Sequence, residues 1–118
     1  MMYTFYWYPK CSTCRKAKAI LDQRGIKYEA IDLKATPPQA SDFQKWFENS
    51  EFPVKNFFNT SGLVYRALGL KDKLAEMTSD ECATVLASDG MLIKRPLMIK
   101  DGKVVSIGFK EEFYQNEL

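Results

Sequence analysis

Cys11 and Cys14 are separated by Ser12 and Thr13 and flanked by Pro9-Lys10 and Arg15-Lys16. A C-x-x-C pair suits thiol–disulfide chemistry, in which one thiolate attacks an electrophilic sulfur and the second thiol resolves the adduct. Three residues apart on a helix, the two Cβ atoms lie ~5–6 Å from each other, so a small adjustment brings the sulfurs to bonding distance. Two other readings stay open: a pair of packed, unreactive thiols, and a zinc site, which would need a second pair of ligands. The chain holds three cysteines and no histidine. The commonest general base and metal ligand is therefore missing, no metal site is expected, and any catalysis must use thiol, carboxylate, lysine, arginine, tyrosine or backbone groups. Cys82 shares a helical face with Val85 and Leu86 and reads as an inert buried thiol or a secondary redox partner.

Position makes the pair informative. Tyr3 to Tyr8 is dense in aromatic and β-forming residues and stops at Pro9, which predicts a buried strand feeding a tight turn. From Ser12 to Arg24 the apolar positions Cys14, Ala17, Ile20 and Leu21 recur at helical spacing, and Gly25 follows as a stop. Cys11 then lies at a helix N-terminus, where free N–H groups and the dipole lower a thiol pKa from ~8.5 into the range ~3.5–7.5. The same N–H groups can hold an anion, so Ser12, Thr13 and Arg15 are candidate substrate-binding residues, and Lys10 and Lys16 add positive charge. Cys14, in line with Ala17 and Leu21, turns partly toward the core, which suits a half-buried resolving thiol beside an exposed attacking one. Lys27 to Leu33 alternates as a second strand, giving a β-α-β unit with a parallel pair.

Thr36-Pro37-Pro38 closes that unit. Ser41 to Asn49 predicts a helix with Phe43, Trp46 and Phe47 on one face; a short piece runs from Pro53 through Phe58; Asn59 to Gly62 is a turn before Leu63 to Leu68. Thr78 with Glu81 forms a capping box for Ser79 to Ala87. After this helical insert, Leu97-Met98-Ile99 and Val104 to Ile107 flank Asp101-Gly102, a hairpin signal. Lys110 to Asn116 can supply a last helix, with Phe109, Phe113 and Tyr114 on the sheet. Ahead of the third strand stands Lys94-Arg95-Pro96. Arg95 could offer a planar fork to an oxyanion or carboxylate, or be a solvated loop arginine, and an X-Pro bond is the one place where a cis peptide costs little.

The expected class is α/β, a mixed sheet of about four strands flanked by helices, with a helical insert between the second and third strands. At 118 residues the chain needs no disulfide or metal staples, and an odd number of cysteines fits a reducing compartment. Lys and Arg number 17 against 15 Asp and Glu, a net charge of +2. That is too mild for a nucleic-acid binder. No run approaches the ~20 apolar residues of a membrane span, and the first residues lack the pattern of a signal peptide, so a soluble cytoplasmic protein with no membrane partner is expected.

Four stretches occur in order along the chain: Tyr6-Trp7-Tyr8-Pro9-Lys10-Cys11-Ser12-Thr13-Cys14-Arg15-Lys16-Ala17, Phe57-Phe58-Asn59-Thr60-Ser61-Gly62, Ser88-Asp89-Gly90-Met91-Leu92-Ile93-Lys94-Arg95-Pro96-Leu97 and Gly108-Phe109-Lys110-Glu111-Glu112. On these the chain resembles the ArsC/Spx/YffB family of thioredoxin-fold proteins, and within it the small YusI-type branch. The resemblance implies one ArsC-like domain over residues 1–118, with a thioredoxin-like core at 1–35 and 95–118 and a helical insert at 36–94. It further implies Cys11 as the reactive thiol, Arg95 as an active-site arginine and Pro96 as a cis proline facing Cys11. Glutaredoxin-dependent arsenate reductases of the family surround their oxyanion with several arginines and usually carry Ser where Cys14 stands. This chain keeps the match at Arg95 and has Asn59 and Gly108 near the other positions. Losing those forks moves the expectation from arsenate to thiol–disulfide reduction. The expected activity is a thiol-dependent reductase with Cys11 as nucleophile, Cys14 or glutathione resolving, and glutathione or glutaredoxin as reductant, with no bound cofactor. The alternative is a redox-responsive regulator that binds the RNA polymerase alpha subunit, as Spx-like relatives do.

Overall fold

The structure is a computed structural model and describes residues 2–118. Its helices are α1 (Ser12–Gln23), α2 (Ala40–Asn49), α3 (Leu63–Ala67), α4 (Leu70–Lys73), α5 (Ser79–Ser88) and α6 (Glu111–Asn116). Its strands are β1 (Tyr3–Trp7), β2 (Glu29–Asp32), β3 (Leu97–Lys100) and β4 (Lys103–Ile107). The chain forms two compact units: one runs to Asp32 and resumes at Arg95, and the other is Leu33–Lys94.

The first unit is a mixed sheet in the order β2-β1-β3-β4. β1 pairs in parallel with β2, Phe5 opposite Ala30, and antiparallel with β3, Phe5 opposite Met98. A thioredoxin-like sheet with an inserted helical subdomain is therefore what the chain forms. β2 is shorter than the stretch from Lys27 to Leu33 because its ladder partner offers only Thr4 to Trp7, while Leu33 is fully buried in the second unit. β3 and β4 form the hairpin expected from Asp101-Gly102, whose φ angles of 51° and 83° are the left-handed values a two-residue turn requires.

Helices α1 and α6 pack on one face of this sheet. Phe5, Ala17, Leu21, Met98 and Tyr114 are fully buried in one cluster with Tyr3 and Ile20. The Phe5 and Tyr114 rings meet edge-on at 6.5 Å. Burying a large apolar side chain stabilises by ~1.5–3 kcal/mol, so the stripe Ala17–Ile20–Leu21 holds α1 against β1 and fixes where its N-terminus points. At the other end of α1, Gly25 at φ 68° turns the chain, and the Ile26 N–H reaches back to the Leu21 carbonyl at 3.0 Å. Arg24 donates to the carbonyls of Tyr114 at 2.6 Å and Leu118 at 2.8 Å, tying α1 to α6.

The second unit has its own aromatic core, with Phe43, Phe57 and Phe58 fully buried and the Phe43–Trp46 and Phe47–Phe57 rings at 5.2 and 5.1 Å. The Thr78–Glu81 capping box opens α5, each partner bonding the other's backbone N–H at 3.1 and 3.0 Å. Single 3-10 turns at Val54–Phe57, Leu74–Glu76 and Gly90–Leu92 link the helices. A Cβ on Gly90 would lie 1.9 Å from the Leu33 carbonyl oxygen, so glycine is required there by backbone approach.

Candidate active site

The site is built where β1 ends. Tyr8 leaves the strand, Pro9 and Lys10 make the turn, and the Cys11 N–H closes it on the Tyr8 carbonyl at 2.9 Å. Cys11 is the N-cap of α1, at φ −88° and ψ 122°, with its own carbonyl accepting from the Arg15 N–H at 3.0 Å. No acidic side chain occupies the first turn of α1, so the positive end of the helix meets the Cys11 sulfur without a competing anion.

Three of the candidate residues act on that sulfur. Cys11 Sγ lies 3.1 Å from Thr13 Oγ1. Partial burial of Cys11 raises its pKa. The Thr13 hydroxyl, the Cys14 backbone N–H and thiol, and the Arg95 charge more than offset this and bring the pKa from 9.0 to about 7. More of Cys11 is therefore thiolate at neutral pH than of an ordinary cysteine, which is a few per cent ionised there. Cys14 is its opposite. Burial pushes it up to about 12; the Tyr8 backbone N–H and Arg95 pull down, and the neighbouring Cys11 pushes up. The two thiols, one turn apart, thus differ in which is ready to attack.

Arg95 immediately precedes β3, joined to Pro96 by a cis peptide bond. Its guanidinium carbon lies 5.5 Å from the centre of the Tyr8 ring, and its Nε and Nη1 are buried without hydrogen-bond partners. It is therefore held on an aromatic face, unlike the solvated loop arginine that its sequence also allowed. Pro96 is buried, and its carbonyl accepts from the Gly108 N–H at 2.8 Å.

Ser12 and Arg15 lie in the first turn of α1. Ser12 is exposed at the first helical position. Arg15 turns back to the Pro9 carbonyl, Nη1 donating at 3.1 Å, while the Arg95 charge helps to lower the Cys11 pKa. Burial also departs from expectation. Cys11 is half-buried where an exposed thiol was expected, and Cys14 is 0% exposed where a half-buried one was. The reason is the inner stripe of α1, which Cys14 heads: Ala17 and Leu21 below it are equally enclosed. Sequence reasoning missed Tyr8 as the platform for Arg95. The one signal for it was an aromatic residue next to the turn before the C-x-x-C. All three cysteines are free thiols; Cys82, in the second unit, is buried, and burial raises its pKa. Among the described residues no cluster of His, Cys, Asp or Glu is arranged to hold a metal ion, and no helix is long and apolar enough to cross a membrane.

The model of the ArsC family matches residues 6–116. This chain belongs to the ArsC family. Among its ArsC-family relatives it is 50% identical over 115 residues to the uncharacterized protein YusI of Bacillus subtilis (strain 168), covering 98% of this chain and 97% of YusI. It is 25% identical to the global transcriptional regulator Spx of Streptococcus mutans serotype c, over 94% of this chain and 79% of Spx. Among solved structures, a possible arsenate reductase from Streptococcus mutans UA159 superposes with a TM-score of 0.90 at 62% identity, covering 92% of each chain.

Proposed function

We propose that this ArsC-family protein is a cytoplasmic thiol-dependent reductase in which Cys11 thiolate attacks an electrophilic sulfur. In the first step Cys11 forms a mixed disulfide and the other half of the substrate leaves as a thiolate. Cys14 or glutathione then attacks the Cys11 sulfur, releasing the second half, and glutathione or glutaredoxin returns the pair to dithiols. The observation that carries this reading is the asymmetry of the thiols, about 7 for Cys11 against about 12 for Cys14. Mixed-disulfide formation itself favours resolution, because the Cys11 charge and hydrogen bond that push Cys14 upward disappear once Cys11 is bonded. The buried, unpartnered donors of Arg95 suit an anionic group such as a glutathione carboxylate. Arsenate is disfavoured as substrate, since Asn59 and Gly108 stand near the positions where arginines would be expected.

The test is turnover of disulfide and arsenate substrates coupled to glutathione and glutaredoxin, with Cys11→Ser as control. Disulfide turnover lost in Cys11→Ser is expected, and no turnover with any substrate would remove the reading. A second reading rests on the match to Spx over most of this chain: a redox-responsive regulator that contacts the RNA polymerase alpha subunit. Specific binding of purified alpha subunit that changes with the oxidation state of Cys11 and Cys14, without turnover, would select it.

A further inference from the structure

Tyr8 serves two groups at once. Its carbonyl closes the turn that carries Cys11, accepting from the Cys11 N–H at 2.9 Å, and its ring lies under Arg95, 5.5 Å from the guanidinium carbon. Strand register accounts for the second contact. Tyr6 faces Leu97 across β1 and β3, and continuing that antiparallel register past Trp7 and Pro96 brings Tyr8 level with Arg95. A guanidinium taken partly out of water is ordinarily paired with a carboxylate. Among the described residues Arg95 forms no ion pair, and its buried Nε and Nη1 have no hydrogen-bond partner, a desolvation cost that an arriving acceptor would relieve. The Tyr8 ring attracts the cation through its quadrupole and consumes none of its N–H donors.

We propose that Tyr8 is a positioning residue that takes the place of a counter-ion for Arg95, holding the guanidinium beside the Cys11 turn with its donors open to the carboxylate of an acidic disulfide. This deepens the reductase reading above and rests on it. An internal carboxylate would hold Arg95 as firmly, but it would occupy those donors and cancel the charge that draws the substrate. An aromatic face does neither. The class of substrate that follows is a disulfide carrying a carboxylate, preferred over a neutral disulfide of the same size. In the reaction the Cys11 thiolate supplies the electron pair of the new sulfur–sulfur bond, and the substrate's own disulfide bond breaks. Its departing sulfur leaves with that pair as a thiolate, so the step balances with no further reactant. Lys10 and Lys16 are exposed and attract any anion in a way that salt screens; Arg95, with buried donors, adds the directional part.

Dithiodipropionate and hydroxyethyl disulfide share one skeleton and differ in carboxylate against hydroxyl. Peptide mass spectrometry gives the rate at which each consumes the Cys11 thiol, and in the ratio of the two rates any change in Cys11 reactivity cancels. We expect the ratio in Arg95→Met to fall about tenfold below that of the wild type. Tyr8→Leu should fall most of the way with it, while Tyr8→Phe, which keeps the ring face, should stay with the wild type. Pentafluorophenylalanine in place of Tyr8 keeps the shape of a ring but removes its attraction for a cation; it should lower the ratio as leucine does, and it keeps the test open where leucine loosens the fold. A ratio unchanged by leucine or by the fluorinated ring would remove the role of Tyr8 alone. A ratio unchanged in Arg95→Met would remove the carboxylate preference as well. Failure of both disulfides to consume Cys11 in the wild type would remove the reductase reading and this inference with it.

Discussion

Of the groups that lower the pKa of Cys11, the Thr13 hydroxyl acts most strongly and the Arg95 charge least. Thr13→Val keeps the shape of the side chain and removes the donor at 3.1 Å. A hydrogen bond to a charged group is worth ~1.5–3 kcal/mol, so the Cys11 pKa should rise by about one unit. Arg95→Met should raise it by less, and by an amount that shrinks as salt is added. Iodoacetamide alkylation of Cys11 against pH reads both. A larger shift for Arg95→Met than for Thr13→Val would contradict the order. Cys11 and Cys14 were legible from spacing alone because both sit on one local turn. The Tyr8–Arg95 stack was not: its partners are far apart in sequence, and only the pairing of β1 with β3 brings their strands side by side. Arg15 stands next to Cys14 in sequence, and its Nη1 donates back to the Pro9 carbonyl, a contact that spacing alone did not announce.

Elements with strong local signals formed where their chemistry predicted. The stripe of α1, the Thr78–Glu81 box of α5 and the Asp101-Gly102 turn each depend on residues a few positions apart. The 3-10 turns were not legible, because a single turn has no periodicity to detect, and β2 was overextended because alternation does not report how long its partner strand is. Two substitutions in the helical unit separate local from tertiary constraint. Thr78→Ala removes the acceptor for the Glu81 N–H and should cost about 1 kcal/mol with the fold retained. Gly90→Ala would place a Cβ at 1.9 Å from backbone that has nowhere to move cheaply and should cost several times as much, of the order of other severe overpacking. Urea unfolding followed by circular dichroism measures both. A milder effect at Gly90 than at Thr78 would mean that the Leu33 backbone yields.

At the scale of the molecule, activating a thiol is also a statement about stability. Cys11 has a pKa of about 7 when folded against 9.0 as its ordinary value. A group whose folded pKa is depressed stabilises the fold above its unfolded pKa, and that contribution is lost as pH falls through the folded one. The stabilisation from Cys11 is therefore full above pH 9 and fades as the pH drops through about 7. Cys14, raised to about 12, works in the other sense, adding stability below pH 9 that is lost only in strong alkali. Between these limits the Cys11 contribution is the one that changes. Serine at position 11 does not titrate, so under reducing conditions the wild type should gain in urea midpoint over Cys11→Ser as the pH rises from 7 to 9. Cys14, whose pKa Cys11 raises, is held up chiefly by burial and stays protonated in the fold over this range, and the groups that do not touch Cys11 cancel in the difference. A constant offset across that range would mean that the Cys11 thiolate is no better solvated in the fold than in the unfolded chain, and the basis for its role as nucleophile would go with it.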